Sequence, residues 1–227
     1  MPKKYKSTPS KYIDTIINDM LPKVAEQELA EYIDVFCEKD YFSATDTAKI
    51  LKAARVYNLI PKIHVNQFNA IGGVAVGVNY EALSVDHLEL ITKDDVKALK
   101  NSDTMPVALP LCSYFLGIPF TPARTLIDAG LPIALASDYN PGSAPSGNMN
   151  FVVSTACIKM KMTPEEAINA ATINGAYAMG IENQYGSITR GKKANLIITK
   201  EIPSYAYLPY AFGNNHIDKV MINGTFI

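Results

Sequence analysis

The sequence predicts an α/β fold: a succession of βα units forming part of a (β/α)8 barrel, followed by a small β-rich tail. Three observations predict it. Short apolar runs begin near residues 32, 62, 84, 105 and 132, a spacing of roughly 20 to 30 residues that suits parallel strands joined by helices. Those runs are almost continuously apolar, as strands are when both faces are covered. Polar residues stand at the tips of several adjacent runs, where a barrel gathers its functional groups. An open doubly wound sheet also fits five units, but it would concentrate such residues at one switch point.

Tyr32–Cys37 is the first β-prone run, and Ser43 then offers an N-cap to a helix with Thr47, Ile50, Leu51 and Ala54 at helical spacing. Residues 62–65 form the second strand, followed by Gly72-Gly73, and residues 83–87 form the third. A charged helix over Lys93–Lys100 leads to a strand at 105–109. Thr121-Pro122 opens another helix as cap and first helical residue, and 131–136 is the last strand of the series. Beyond it, helices are expected over 148–159 and from Thr163-Pro164 to about Gly180, the second with Glu165 and Glu166 at its positive end. From Tyr185 the chain reads as β, at Gly186-Ser187-Ile188, Leu196-Ile197-Ile198 and 219–225. The expected division is a partial barrel over residues 1–181 and a small sheet domain over 182–227.

A net charge of −1 gives no electrostatic footprint for nucleic acid or an anionic membrane. The 48% hydrophobic content argues against wholesale disorder. No apolar run approaches the roughly 18 residues of a membrane span. The basic start, Met1-Pro2-Lys3-Lys4-Tyr5-Lys6, lacks the apolar stretch of a secretory signal. Cys37, Cys112 and Cys157 show no pairing pattern and read as thiols, so a cytoplasmic protein is expected.

Three residues could carry chemistry together. His64 and His87 end the second and third strands, and Asp138 follows the last. Nitrogen and oxygen donors of this kind suit zinc or iron rather than magnesium. Asn66 and Gln67, beside His64, would share the same polar mouth. Asn140-Pro141-Gly142-Ser143 reads equally as a tight turn or as a cradle of backbone N–H, amide and hydroxyl groups for a polar substrate. His216 reads as a loop residue, the charges of 93–97 as a solvated helix face, and Tyr205, Tyr207 and Tyr210 as packing. No phosphate-binding glycine loop, nucleophile elbow or Cys-x-x-Cys site is present.

Three segments, residues 62–68, 84–89 and 134–143, resemble the imidazolonepropionases of the amidohydrolase superfamily. The resemblance continues through residues 162–167 and 186–196 and covers essentially the whole chain. Its most specific part is the run from Asp138 through Asn140-Pro141-Gly142-Ser143, while Asn195 stands where the superfamily more usually has aspartate. The resemblance implies a (β/α)8 barrel beside a β-sandwich, commonly in a homodimer. One zinc or iron ion would be held by a His-x-His pair on the first strand, a histidine on the fifth and an aspartate on the eighth. His64 and Asp138 match the last two. His87 and Gln67 would act near the substrate, and Asn140, Gly142 and Ser143 would hold its propionate-bearing part or the product. The implied reaction is hydrolysis of the cyclic amide of 4-imidazolone-5-propanoate to N-formimino-L-glutamate, in histidine degradation.

The only histidines are His64, His87 and His216, so no His-x-His occurs. Counting back from Asp138 as strand eight makes Tyr32–Cys37 strand four. The chain is therefore expected to be the C-terminal part of a longer enzyme, with roughly strands four to eight, and to lack appreciable activity alone. Two other readings stay open: a related amidohydrolase such as a cyclic deaminase, and a non-catalytic fragment or partner subunit.

Overall fold

The structure, a computed structural model, describes residues 2–227. It divides into two compact units, the first ending at Pro106 and the second spanning Val107–Ile227. Five parallel strands, β1 (Tyr32–Cys37), β2 (Ile60–Val65), β3 (Ser84–His87), β4 (Met105–Ala108) and β5 (Ala134–Leu135), follow one another in sheet order as in sequence. The βα rhythm of the sequence is thus the architecture of an incomplete barrel.

In the first unit, α1 (Pro9–Thr15), a π-helical turn (Ile16–Met20) and α2 (Leu21–Glu26) precede β1. These helices have no counterpart in the sequence reading. Leu21 packs with Ala54 and Leu59, and Ile16, Ala30 and Ile33 close around them. Helices α3 (Ala44–Arg55), α4 (Gly73–Asn79) and α5 (Lys93–Lys100) follow β1, β2 and β3. Ser43 caps α3 in a full capping box with Asp46, and its buried stripe is Thr47, Ile50, Leu51 and Ala54. Thr92 and Asp95 form the same box on α5. Helix α4 begins at the Gly72-Gly73 pair because its backbone lies almost on the sheet. A Cβ on Gly73 would sit 2.7 Å from Val65 Cγ1, and one on Gly77 would sit 2.8 Å from both Ile63 Cδ1 and Val85 Cγ1.

The second unit contains α6 (Pro110–Leu116), α7 (Ala123–Asp128), α8 (Met149–Met160), α9 (Pro164–Ala171), α10 (Ile173–Ala178) and α11 (Tyr207–Tyr210). Several expectations shift here. Thr121 is 2% exposed and does not cap α7; Pro122 takes the cap position, with no side-chain bond. The last strand shrinks to Ala134–Leu135 because Pro132 has no N–H to give a ladder. The helix expected to run from Thr163 to Gly180 breaks at Thr172, whose φ of −120° and ψ of −88° are not helical. Its hydroxyl donates back to Ile168 O at 2.7 Å, a local bond that competes with the helix ladder.

Arg124 on α7 grips Glu166 on α9 with two parallel bonds, Nη1 to Oε2 at 2.8 Å and Nη2 to Oε1 at 2.9 Å. Asn174 on α10 donates to Ile133 O at 2.8 Å and so ties that helix to the start of β5. A separate antiparallel sheet, β6 (Leu196–Thr199), β7 (Ile217–Ile222) and β8 (Thr225–Phe226), forms the tail. Asn223-Gly224 joins β7 to β8 with φ of 49° and 83°, the pair of positive angles that a two-residue hairpin turn favours. Gly186-Ser187-Ile188 forms no strand.

Candidate functional site

The pleat of the first unit divides its strands into two chemical faces. Ile63, Val65, Val85 and Cys37 turn towards α4, as their closeness to Gly73 and Gly77 shows. Strand alternation therefore sends Asp34, Phe36, Lys62, His64, Ser84 and Asp86 to the other face. The register pairs Asp34 with Lys62 and Ser84, and Phe36 with His64 and Asp86. That face carries a hydrogen-bonded run: Lys62 Nζ donates to Ser84 Oγ at 2.7 Å, and Ser84 Oγ donates to Asp86 Oδ1 at 2.7 Å. Burial pushes the Asp86 carboxyl above its ordinary value, against the pull of Lys62, His64 and Ser84.

His64 Nδ1 meets the Asp34 carboxylate at 2.9 Å. In the neutral ring, donation from Nδ1 makes Nε2 the lone-pair nitrogen, the arrangement that orients an imidazole for metal binding. Alternation alone would send His87 towards α4 with Val85. A φ of 86° at His87 turns the side chain back, so its ring centroid lies 5.2 Å from that of His64. His87 Nδ1 also meets Glu89 Oε1 at 3.3 Å, with both side chains buried. Left-handed backbone recurs at Asn66 (φ 56°) and Leu88 (φ 62°). Asparagine and histidine tolerate this region, but leucine does not, and each such residue costs on the order of 1–3 kcal/mol. Gln67 is 8% exposed, just past β2.

In the second unit Asp138 follows β5 with a φ of 52°. Asn140 organises the turn beyond it. Its Oδ1 accepts from the Gly142 and Ser143 N–H groups, both at 2.8 Å, and its Nδ2 donates to Asp138 O at 2.6 Å and Ser143 Oγ at 2.8 Å. Ser143 Oγ reaches Asp138 Oδ2 at 3.0 Å. The turn therefore fixes one carboxylate oxygen of Asp138 through the Ser143 hydroxyl. It also commits the Asn140 amide internally, so that its first duty is to shape the turn.

The sequence pattern of the amidohydrolase family matches residues 3–227, nearly the full chain. The chain belongs to the amidohydrolase family. An imidazolonepropionase of Christiangramia forsetii is 67% identical over 227 residues, covering 100% of this chain and 55% of that protein. One from Flavobacterium johnsoniae is 66% identical over 226 residues with the same coverage, and one from Alkaliphilus oremlandii is 42% identical over 228 residues. The chain thus spans about half the length of the curated relatives it matches. Among solved structures, a zinc-bound adenosine deaminase from Xanthomonas campestris superposes with a TM-score of 0.69 at 18% identity, over 82% of this chain and 49% of that one. A mutant atrazine chlorohydrolase from Arthrobacter aurescens, complexed with zinc and atraton, gives 0.73 at 14% identity, over 94% of this chain and 55% of that one. At such identities these two show the barrel fold alone.

Within this amidohydrolase chain, His64 and His87 stand together in the first unit, with Gln67 in the loop that follows β2. Asp138, Asn140, Gly142 and Ser143 form one hydrogen-bonded turn in the second. The sequence reading passed over Asp34, Glu38 and Glu89 as site residues. Glu38 and Glu89 were findable, since each follows a strand tip, the criterion that singled out the histidines. Asp34 is a lone charge within an apolar strand, which is a similar signal. His216 lies just before β7, its ring 5.2 Å from that of Tyr207.

Proposed function

We propose that this chain carries strand-tip residues of a metal-dependent hydrolase that opens the cyclic amide of 4-imidazolone-5-propanoate, giving N-formimino-L-glutamate in histidine degradation. The observation that carries this reading is the Asp138-Asn140-Gly142-Ser143 turn, a run specific to imidazolonepropionases and built here as one hydrogen-bonded unit. Identities of 67% and 66% to proteins of that name support it.

The donors fit zinc or iron. His64 has a carboxylate on Nδ1, and Asp138 has one oxygen steadied by a hydroxyl, leaving imidazole nitrogen and carboxylate oxygen as ligands. When bound, an ion of this kind would supply Lewis acidity, lowering the pKa of water towards roughly 7. Asp138 accepts the proton of the attacking water at its carboxylate and returns it to the departing ring nitrogen. One C–O bond forms at the ring carbonyl and one C–N bond breaks. His87, with Gln67, orients the water or polarises the carbonyl. Asn140, Gly142 and Ser143 hold the propionate-bearing part or the product. On this reading residues 182–227 belong to a β-sandwich, and the whole protein is a cytoplasmic homodimer.

These 227 residues contain no His-x-His, so the chain by itself is expected to turn over little substrate. Fusing it to the portion of the Christiangramia forsetii relative outside the matched region, and loading zinc, tests the reading. Hydrolysis of imidazolone propionate, with no turnover of amino-bearing nucleobase rings, is expected. Deamination of such rings instead, or no turnover of either, would refute the assignment.

A further inference from the structure

Glu38 stands immediately after β1 and is 1% exposed. A carboxylate taken this far from water needs hydrogen bonds. Its partners are all backbone amides: Lys39 N–H donates to Oε1 at 2.8 Å, while Phe68 N–H and Asn69 N–H donate to Oε2 at 2.9 and 3.1 Å. Two of these three belong to the loop after β2, thirty residues on, and they follow directly on Gln67. The side chain at the tip of one strand thus holds the loop at the tip of the next. The next strand tip is also tied to its neighbour, by one side-chain bond to α5 and one backbone bond to the loop. Asn66 Nδ2 donates to Asp95 Oδ2 at 3.0 Å and its carbonyl accepts from Leu90 N–H at 2.9 Å, bracing the loop that follows His87.

We propose that Glu38 is a positioning residue for Gln67: its carboxylate clamps the Phe68 and Asn69 amides and thereby fixes where the Gln67 side chain starts. The inference rests on the reading of Gln67 as a substrate contact. Glu38 touches neither substrate nor metal in this scheme; it acts through the loop. Charge and shape are both needed. A glutamine in its place offers one oxygen instead of two and turns an NH2 group towards N–H donors, leaving at least one of the three amides without its acceptor.

The test is a double-mutant cycle on binding of N-formimino-L-glutamate to the zinc-loaded fusion described above, by calorimetry, with Glu38→Gln, Gln67→Ala and the double variant. Each single substitution is expected to weaken binding about tenfold, and E38Q to add less than about twofold in the Q67A background. A purely structural role for Glu38 would instead multiply with Q67A. Independent effects, or no effect of E38Q, would overturn the proposal and leave the functional reading standing. No binding by the unsubstituted fusion would overturn that reading, and with it the role assigned to Gln67. Hydrogen exchange gives a second measurement that does not depend on E38Q folding. The Phe68 and Asn69 amides are expected to exchange far more slowly than other loop amides, and exchange at the rate of open loops would refute the clamp.

Discussion

The Asp34 carboxylate lies 2.9 Å from Nδ1 of His64, one row below it on the neighbouring strand of the same sheet face. The pair sets which ring nitrogen carries the proton and which can face an ion. Replacing Asp34 by alanine is expected to weaken zinc affinity by about 10- to 100-fold, the usual effect of removing a carboxylate behind a ligating imidazole. Asp34→Asn, which keeps an acceptor, should lose less. Competition against a chromogenic chelator measures both.

Asn140 holds the turn after β5 by accepting two backbone N–H groups. Asn140→Ala leaves those donors without their acceptor and should cost about 1–3 kcal/mol in chemical denaturation. Asn140→Asp keeps the acceptor but places a second carboxylate beside Asp138. It should retain most of the stability and lose affinity for the anionic product about tenfold, read by calorimetry.

Gly77 marks the closest approach of α4 to the sheet. Gly77→Ala puts a methyl 2.8 Å from Ile63 and Val85 side chains, and should destabilise by about 1–3 kcal/mol with an unchanged denaturant slope. Gly213→Ala, which meets nothing within 4 Å, is the control and should be near neutral.

The Arg124 guanidinium holds the Glu166 carboxyl below its ordinary value of 4.5. A depressed carboxyl stabilises the fold above its unfolded pKa, and that contribution is lost as pH falls through the lower folded value. Glu166→Gln should therefore be less stable than the parent near pH 7, with the gap closing as pH drops below 4.5. Both side chains are partly open to solvent, so added salt should narrow the gap too. Thermal melts across pH measure it.

Much of the fold was legible because strands and caps are local. Ser43 and Thr163 cap the helices expected of them, each accepting the backbone N–H three residues on, while the cap expected of Thr121 falls to Pro122. The helices before β1 were missed although Ile13, Ile16, Ile17, Met20, Leu21 and Val24 recur at helical spacing; Pro22, in the first turn of α2, was the one contrary signal. Helix α4 escaped because glycines lower helix propensity, and only the approach of Val65 and Val85 explains them. Among the site residues, the side of the sheet on which His87 stands was the least legible. A two-residue period places it away from His64, and the positive φ that reverses it is a tertiary outcome without a signature in the letters. Asn140 and Ser143 were legible as a turn; that their bonds reach Asp138 was not.

The two-faced pleat of β2 and β3 has a consequence for how such a protein can diverge. Ile63, Val65 and Val85 answer to the helix layer, while Lys62, His64, Ser84 and Asp86 answer to whatever occupies the opposite side. Adjacent codons therefore fall under different selection. A lineage can drift through aliphatic exchanges at the odd-numbered positions while the even-numbered ones stay fixed, or retune its chemistry at the even positions without disturbing the fold. Alternation of substitution rate along these strands is the trace this should leave among descendants of the same ancestor.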